Sequence, residues 1–125
     1  MIYGVLTVVI RNAHFEKDKD IGSKMDPYIV LKVGEQKQQT KVAEAAGKNA
    51  NFNTMFTFNI NNNEHELKIS AFDKDPVGND KLGNHTINFS KILKGGQMSE
   101  TARLSGALRL LKKGEVRVDL SFKAN

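Results

Sequence analysis

The sequence predicts an all-β protein. Apolar residues recur at every second position in one run after another, the runs are short, and each ends in Gly, Pro, Asn or Asp. A segment at 101–113, with Leu104, Leu108 and Leu111, has helical spacing, but Ser105-Gly106 interrupts it.

In order, Leu6, Val8 and Ile10 alternate with Thr7, Val9 and Arg11 as a half-buried strand, followed by a polar loop over residues 12–26. Pro27 can open a strand but not sit inside a ladder, so Tyr28–Val33 is the second strand. Gly34-Glu35 turns the chain into a polar third strand at Gln38–Val42. Residues 43–50 have no clean period; Ala-Glu-Ala-Ala suggests a helical turn ended by Gly47 and Asn49. Phe56, Phe58 and Ile60 mark the fourth strand and Asn61-Asn62-Asn63 a turn. Leu67, Ile69 and Ala71 mark the fifth strand, and Asn84–Phe89 the sixth, with His85, Ile87 and Phe89 on one face. Ser90–Lys94 reads as one helical turn closed by Gly95-Gly96, and a seventh strand falls around Thr101–Leu104. Val116, Val118, Leu120 and Phe122 define the last strand. Seven or eight short strands indicate a sandwich or a barrel.

The chain has 125 residues, 39% hydrophobic and 26% charged, which fits one globular domain over 1–125 with a real core. The longest apolar run, Tyr28–Leu31, is too short to cross a membrane, and the N-terminus has no signal-peptide pattern. With no cysteine there is no disulfide framework and no thiolate chemistry, so a cytoplasmic location is expected.

Charge distribution says more than the net charge of +5. Six of the seven aspartates lie in two loops: Asp18, Asp20 and Asp26 in one, Asp73, Asp75 and Asp80 in the other. The second loop follows a strand as Asp73-Lys74-Asp75-Pro76-Val77-Gly78-Asn79-Asp80, where Pro and Gly turn the chain and can bring Asp80 back towards its partners. Like charges so placed repel by roughly 4 kcal/mol per pair at about 4 Å and an effective dielectric of ~20. Carboxylates from two strand-end loops suit a hard cation, and calcium, which accepts six to eight oxygens, fits best.

Other chemistries find less support. Asp73-x-Asp75-x-x-Gly78 resembles the start of an EF-hand loop, but position twelve is Asn84 and the flanks are strands. His14, His65 and His85 are dispersed, and no serine has a His-Asp partner pattern, so no catalytic residue is assigned and no enzyme is expected. The basic surplus lacks the interleaved aromatics of a nucleic-acid platform, so no nucleic-acid partner is expected.

Set in order along the chain, several pieces resemble the C2 domain of protein kinase C and the synaptotagmins. They are Gly4–Ala13, Asp20 with Met25-Asp26-Pro27-Tyr28, Thr40-Lys41-Val42, Asn49-Ala-Asn-Phe-Asn-Thr-Met-Phe-Thr-Phe58, Asp73-Lys-Asp75 to Asp80-Lys-Leu-Gly83, and Gly114–Phe122. Ala50, Phe52 and Thr54 depart from the family's Asn-Pro-x-Trp-Asn-Glu-x-Phe-x-Phe pattern. The resemblance implies an eight-stranded antiparallel β-sandwich, a Greek key of the circularly permuted type II topology seen in phospholipases and small stand-alone plant proteins. It implies calcium ligands at Asp20, Asp26, Asp73, Asp75 and Asp80 and the Lys74 carbonyl, for two or more Ca2+ ions. The spacing from Asp75 to Asp80 is one residue shorter than the family's usual loop, which makes Asp80 the weakest member.

The function so implied is calcium-dependent binding to anionic phospholipid membranes, with reversible recruitment to their cytosolic face. Ile21 and Val77 sit near the loop tips as candidates for shallow insertion, with Lys24, Lys74 and Lys81 at the rims. Lys32, Lys37 and Lys41 fall where the family forms a basic groove for phosphoinositide headgroups, although Gln39 breaks the row and solvated edge lysines are an equal reading. The alternative function is a calcium-independent protein-interaction module, which requires a protein partner.

Overall fold

The computed structural model describes residues 3–16, 24–61, 63–106 and 111–125. Eight strands run as β1 (Gly4–Phe15), β2 (Pro27–Val33), β3 (Gln36–Gln39), β4 (Asn49–Ile60), β5 (Glu66–Asp73), β6 (Asp80–Asn88), β7 (Gly96–Ser105) and β8 (Lys112–Ala124). A single 3-10 turn, Ser90–Ile92, follows β6. Every neighbouring pair is antiparallel, in the order β3-β2-β5-β6-β7-β8-β1-β4.

This sheet closes on itself as a sandwich of two four-stranded halves. Between the halves, β6 and β7 share one ladder position, Asn84 opposite Ser105. On the other side β3 and β4, the two ends of the order, meet through side chains. Gln36 donates from Nε2 to the Asn59 carbonyl (2.6 Å) and accepts at Oε1 from the Asn59 N–H (3.0 Å), while Gln38 Nε2 donates to the Thr57 carbonyl at 2.7 Å. These two glutamines continue a ladder that the backbone does not. They cover an edge that would otherwise be open to strand addition, on a strand that carries no charged residue.

The period-two positions meet between the halves. Leu6, Val8 and Ile10 of β1, Ile29, Leu31 and Val33 of β2, Phe58 and Ile60 of β4, Leu67, Ile69 and Ala71 of β5 and Val116, Val118 and Leu120 of β8 share one core. Each fully buried side chain of this kind contributes about 1.5–3 kcal/mol.

Departures from the sequence reading have local causes. β4 begins at Asn49, well before the alternation at 55–60, because its register against β1 slips between Thr54 opposite Ile10 and Asn51 opposite Asn12. Asn53 sits there at φ 44°, so the bulge hides the alternation. β3 is Gln36–Gln39 rather than 38–42, because Val33 opposite Gln36 makes a two-residue hairpin and Thr40 turns inward to accept the Ile29 N–H at 2.9 Å. Lys41 therefore lies beyond the ladder and does not share a strand face with Lys37. β7 extends back to Gly96, its first half too polar to alternate. The helical spacing at 101–113 is not a helix in its described parts, which belong to β7 and β8.

The Gln36→Ala, Gln38→Ala double variant is expected to lose about 1–3 kcal/mol, for three bonds made at an exposed seam. It should also associate with rising concentration, because the Thr57–Asn59 edge is bared. Urea unfolding with static light scattering checks both, and an unchanged midpoint in a monodisperse sample would refute the seam's role.

Candidate functional site

Strand pairing brings the acidic positions to one end of the sandwich. Pro27 of β2 stands opposite Asp73 of β5, and Asp73 opposite Asp80 of β6, so one level across three strands carries two carboxylates with Asp26 one residue away. Asp80, read from the sequence as part of the loop, opens β6 instead.

Asp73 is buried, 3% exposed, at the last position of β5. Its Oδ1 accepts the Asp26 N–H at 2.8 Å, and the Lys74 N–H returns a bond to the Asp26 carbonyl at 3.0 Å. Asp26 is in turn fixed by a third segment: Ala45 N–H donates to its Oδ1 at 2.7 Å. Two backbone bonds hold that segment in place, Ala43 N–H to the Pro27 carbonyl (2.8 Å) and Gly47 N–H to the Met25 carbonyl (3.0 Å). Ala45 points its N–H inward at φ 53°, a left-handed conformation that costs a side-chain-bearing residue about 1–2 kcal/mol. Nothing in Ala-Glu-Ala-Ala announces this role, and sequence reasoning missed it.

The turn after β5 is tied internally. Gly78 N–H bonds the Asp75 carbonyl at 3.2 Å, the Asp75 N–H reaches Asn79 Oδ1 at 3.3 Å, and Asn79 Nδ2 donates to the Tyr28 hydroxyl at 2.8 Å. Tyr28 stacks on Phe72 with centroids 5.5 Å apart, anchoring the turn to β2 and β5. Asp75 is half-buried beside Asp73, and Val77 projects from the tip, 96% exposed, so it packs against no neighbour.

The donor set is all oxygen, with Asp26 and Asp73 in one hydrogen-bonded unit, Asp80 at its level and Asp75 at its rim, which suits a hard cation in donor type. Among the described residues, no three acidic or histidine side chains stand close enough to hold a metal by themselves. Asp20 and Ile21 lie outside the described residues.

The lysines separate by place. Lys24, Lys74 and Lys81 are exposed around the acidic end. Lys37 stands directly opposite Lys32, and Lys32 opposite Lys68, a row of three exposed lysines on adjacent strands. Like charges so placed destabilise a sheet unless an anion meets them. Lys68 was not foreseen; its position follows only from the β2–β5 pairing. The row lies five residues along β2 from Pro27, about 17 Å from the acidic level.

Comparison with known proteins agrees with this architecture. Residues 4–104 match the family model of the C2 domain. The chain is 36% identical to 16 kDa phloem protein 2 of Arabidopsis thaliana, over 98% of this chain and 84% of that one. It is 32% identical to Elicitor-responsive protein 3 of Oryza sativa subsp. japonica, over 98% and 85%. A solved structure described as a C2 domain-containing protein from a putative elicitor-responsive gene superposes with a TM-score of 0.82 at 32% identity, covering 99% of this chain and 91% of that one.

Ala45→Gly keeps the N–H on Asp26 and relieves the left-handed strain, so the variant should be about 1 kcal/mol more stable than the parent. Ala45→Pro removes the donor and should be less stable than both. Thermal unfolding of the three proteins decides; a destabilised glycine variant would contradict the account of this loop.

Proposed function

The chain belongs to the C2 domain family, a family of lipid- and protein-binding modules, and on that footing we propose that it binds anionic phospholipid membranes in a calcium-dependent way, without catalysis. One observation carries the reading: a protein of net charge +5 gathers carboxylates at one end, with a buried Asp73 tied to Asp26 and level with Asp80.

Asp26, Asp73, Asp75 and Asp80, with Asp20 and the Lys74 carbonyl by sequence, are the residues that would hold the cation. Calcium held there would supply positive charge, two ions offsetting about four of the five carboxylates, and would offer coordination to lipid phosphate oxygens. Without it the aspartates give this end a negative potential that holds anionic lipid away. Val77, exposed between Pro76 and Gly78, is placed to enter the headgroup layer, with Ile21 as its sequence counterpart. Lys24, Lys74 and Lys81 add attraction of about 1 kcal/mol each near an anionic surface. Lys32, Lys37 and the unforeseen Lys68 provide a second basic contact when the sheet face tilts towards the membrane; Lys41, beyond the ladder, stands at its margin. Recruitment from the cytoplasm to the cytosolic face of membranes follows from this switch.

Co-sedimentation with phosphatidylserine vesicles, with calcium and with chelator, tests the proposal. Pelleting is expected only with calcium and should be lost in the Asp73→Asn, Asp75→Asn variant. Equal pelleting in both conditions, or none at saturating calcium, would contradict it, and the second outcome would favour docking to a protein partner.

A further inference from the structure

On the β6–β7 side, the seam between the two halves holds a cleft of about 270 Å³ lined by Asn84, His85, Thr86, Arg103 and Ser105. It exists because β6 and β7 pair at Asn84 and Ser105 alone and then part. His85 and Glu100 bridge the parted strands, Nε2 to Oε2 at 2.9 Å, and hold the cleft's wall.

We infer that this cleft binds a phosphomonoester group. All five lining side chains can donate hydrogen bonds, and the nearest carboxylate, Glu100, is engaged by His85. Among the described residues, the side chains of Asn84, Thr86, Arg103 and Ser105 make no hydrogen bond or ion pair, so their donors are free for a ligand. Glu115, opposite Arg103 on β8, is engaged by Lys112 at 3.1 Å and leaves the guanidinium unpaired. Arginine recognises phosphate through two parallel N–H bonds, and the amide and hydroxyls supply donors for the remaining oxygens. A monoester presents three terminal oxygens and close to two negative charges near neutral pH, against two oxygens and one charge for a diester, so a donor-rich cleft whose flanking carboxylates, Glu100 and Glu115, are already engaged favours the monoester. The cleft is wide enough to admit a phosphate group. A neighbouring groove that shares Asn84, His85 and Thr86 carries Lys68 and Lys81 against one carboxylate, Glu66, a net positive flank.

The group could come from a soluble phosphate ester or from a lipid headgroup, and the experiment separates the two. In calcium-free buffer with chelator, amide NMR spectra are followed while glycerol 3-phosphate is added. Binding to phosphatidylcholine vesicles carrying phosphatidic acid, a monoester, is compared with vesicles carrying phosphatidylglycerol, a diester. Saturable shifts centred on Asn84, Thr86, Arg103 and Ser105 are expected, weakened about tenfold in Arg103→Gln. A preference for phosphatidic acid vesicles, lost in the same variant, assigns the lipid source; glycerol 3-phosphate binding without that preference assigns the soluble one. Arg103 is exposed, so its substitution leaves the fold intact, and Thr86→Val serves as a second probe. Shifts that fail to saturate, or that persist unchanged in both variants, would overturn the inference. Chelator makes the outcome independent of the calcium reading.

Discussion

The acidic end depends on one hydrogen bond, from the Asp26 N–H to the buried Asp73 carboxylate. A carboxylate at 3% exposure must be met by donors, because desolvating its charge without compensation is costly. Asp26 supplies its backbone N–H to Asp73 and takes the Ala45 N–H on its own carboxylate, and each bond fixes a different segment. The loop before β2, the end of β5 and the connection between β3 and β4 are thereby locked together. The shape of the acidic end is therefore set by backbone amides as much as by the aspartates themselves. The left-handed strain at Ala45 is the cost of aiming one of those amides.

The two long sides of the sandwich are managed differently. At the β3–β4 side, glutamine side chains imitate a ladder and close the edge. Along the β6–β7 side a single ladder position and the His85–Glu100 bridge join the halves, leaving a donor-lined opening.

Alternating apolar positions made the fold legible in the sequence, since burial of one face leaves period two wherever a strand is regular. It failed where the strand bulges, at Asn53, and where both faces are polar, in the first half of β7. That Asp26, Asp73 and Asp80 would come to one end was legible because carboxylate spacing next to Pro and Gly is local information. Three features were not. Lys68 joins Lys32 only through pairing between distant strands, Ala45 acts through its backbone, and Gln36 and Gln38 act across the closure of the sheet. Such relations depend on register and closure, which a single chain of letters does not encode locally. For Asp20 and Ile21 the sequence assignment stands by itself, since both lie outside the described residues.

Calorimetric titration of the lipid-free protein with calcium chloride tests most directly whether the aspartates around Asp73 form a calcium site. Saturable heats that fit two or more ions are expected. Flat heats up to concentrations on the order of millimolar, the weak end of protein calcium sites, would contradict it.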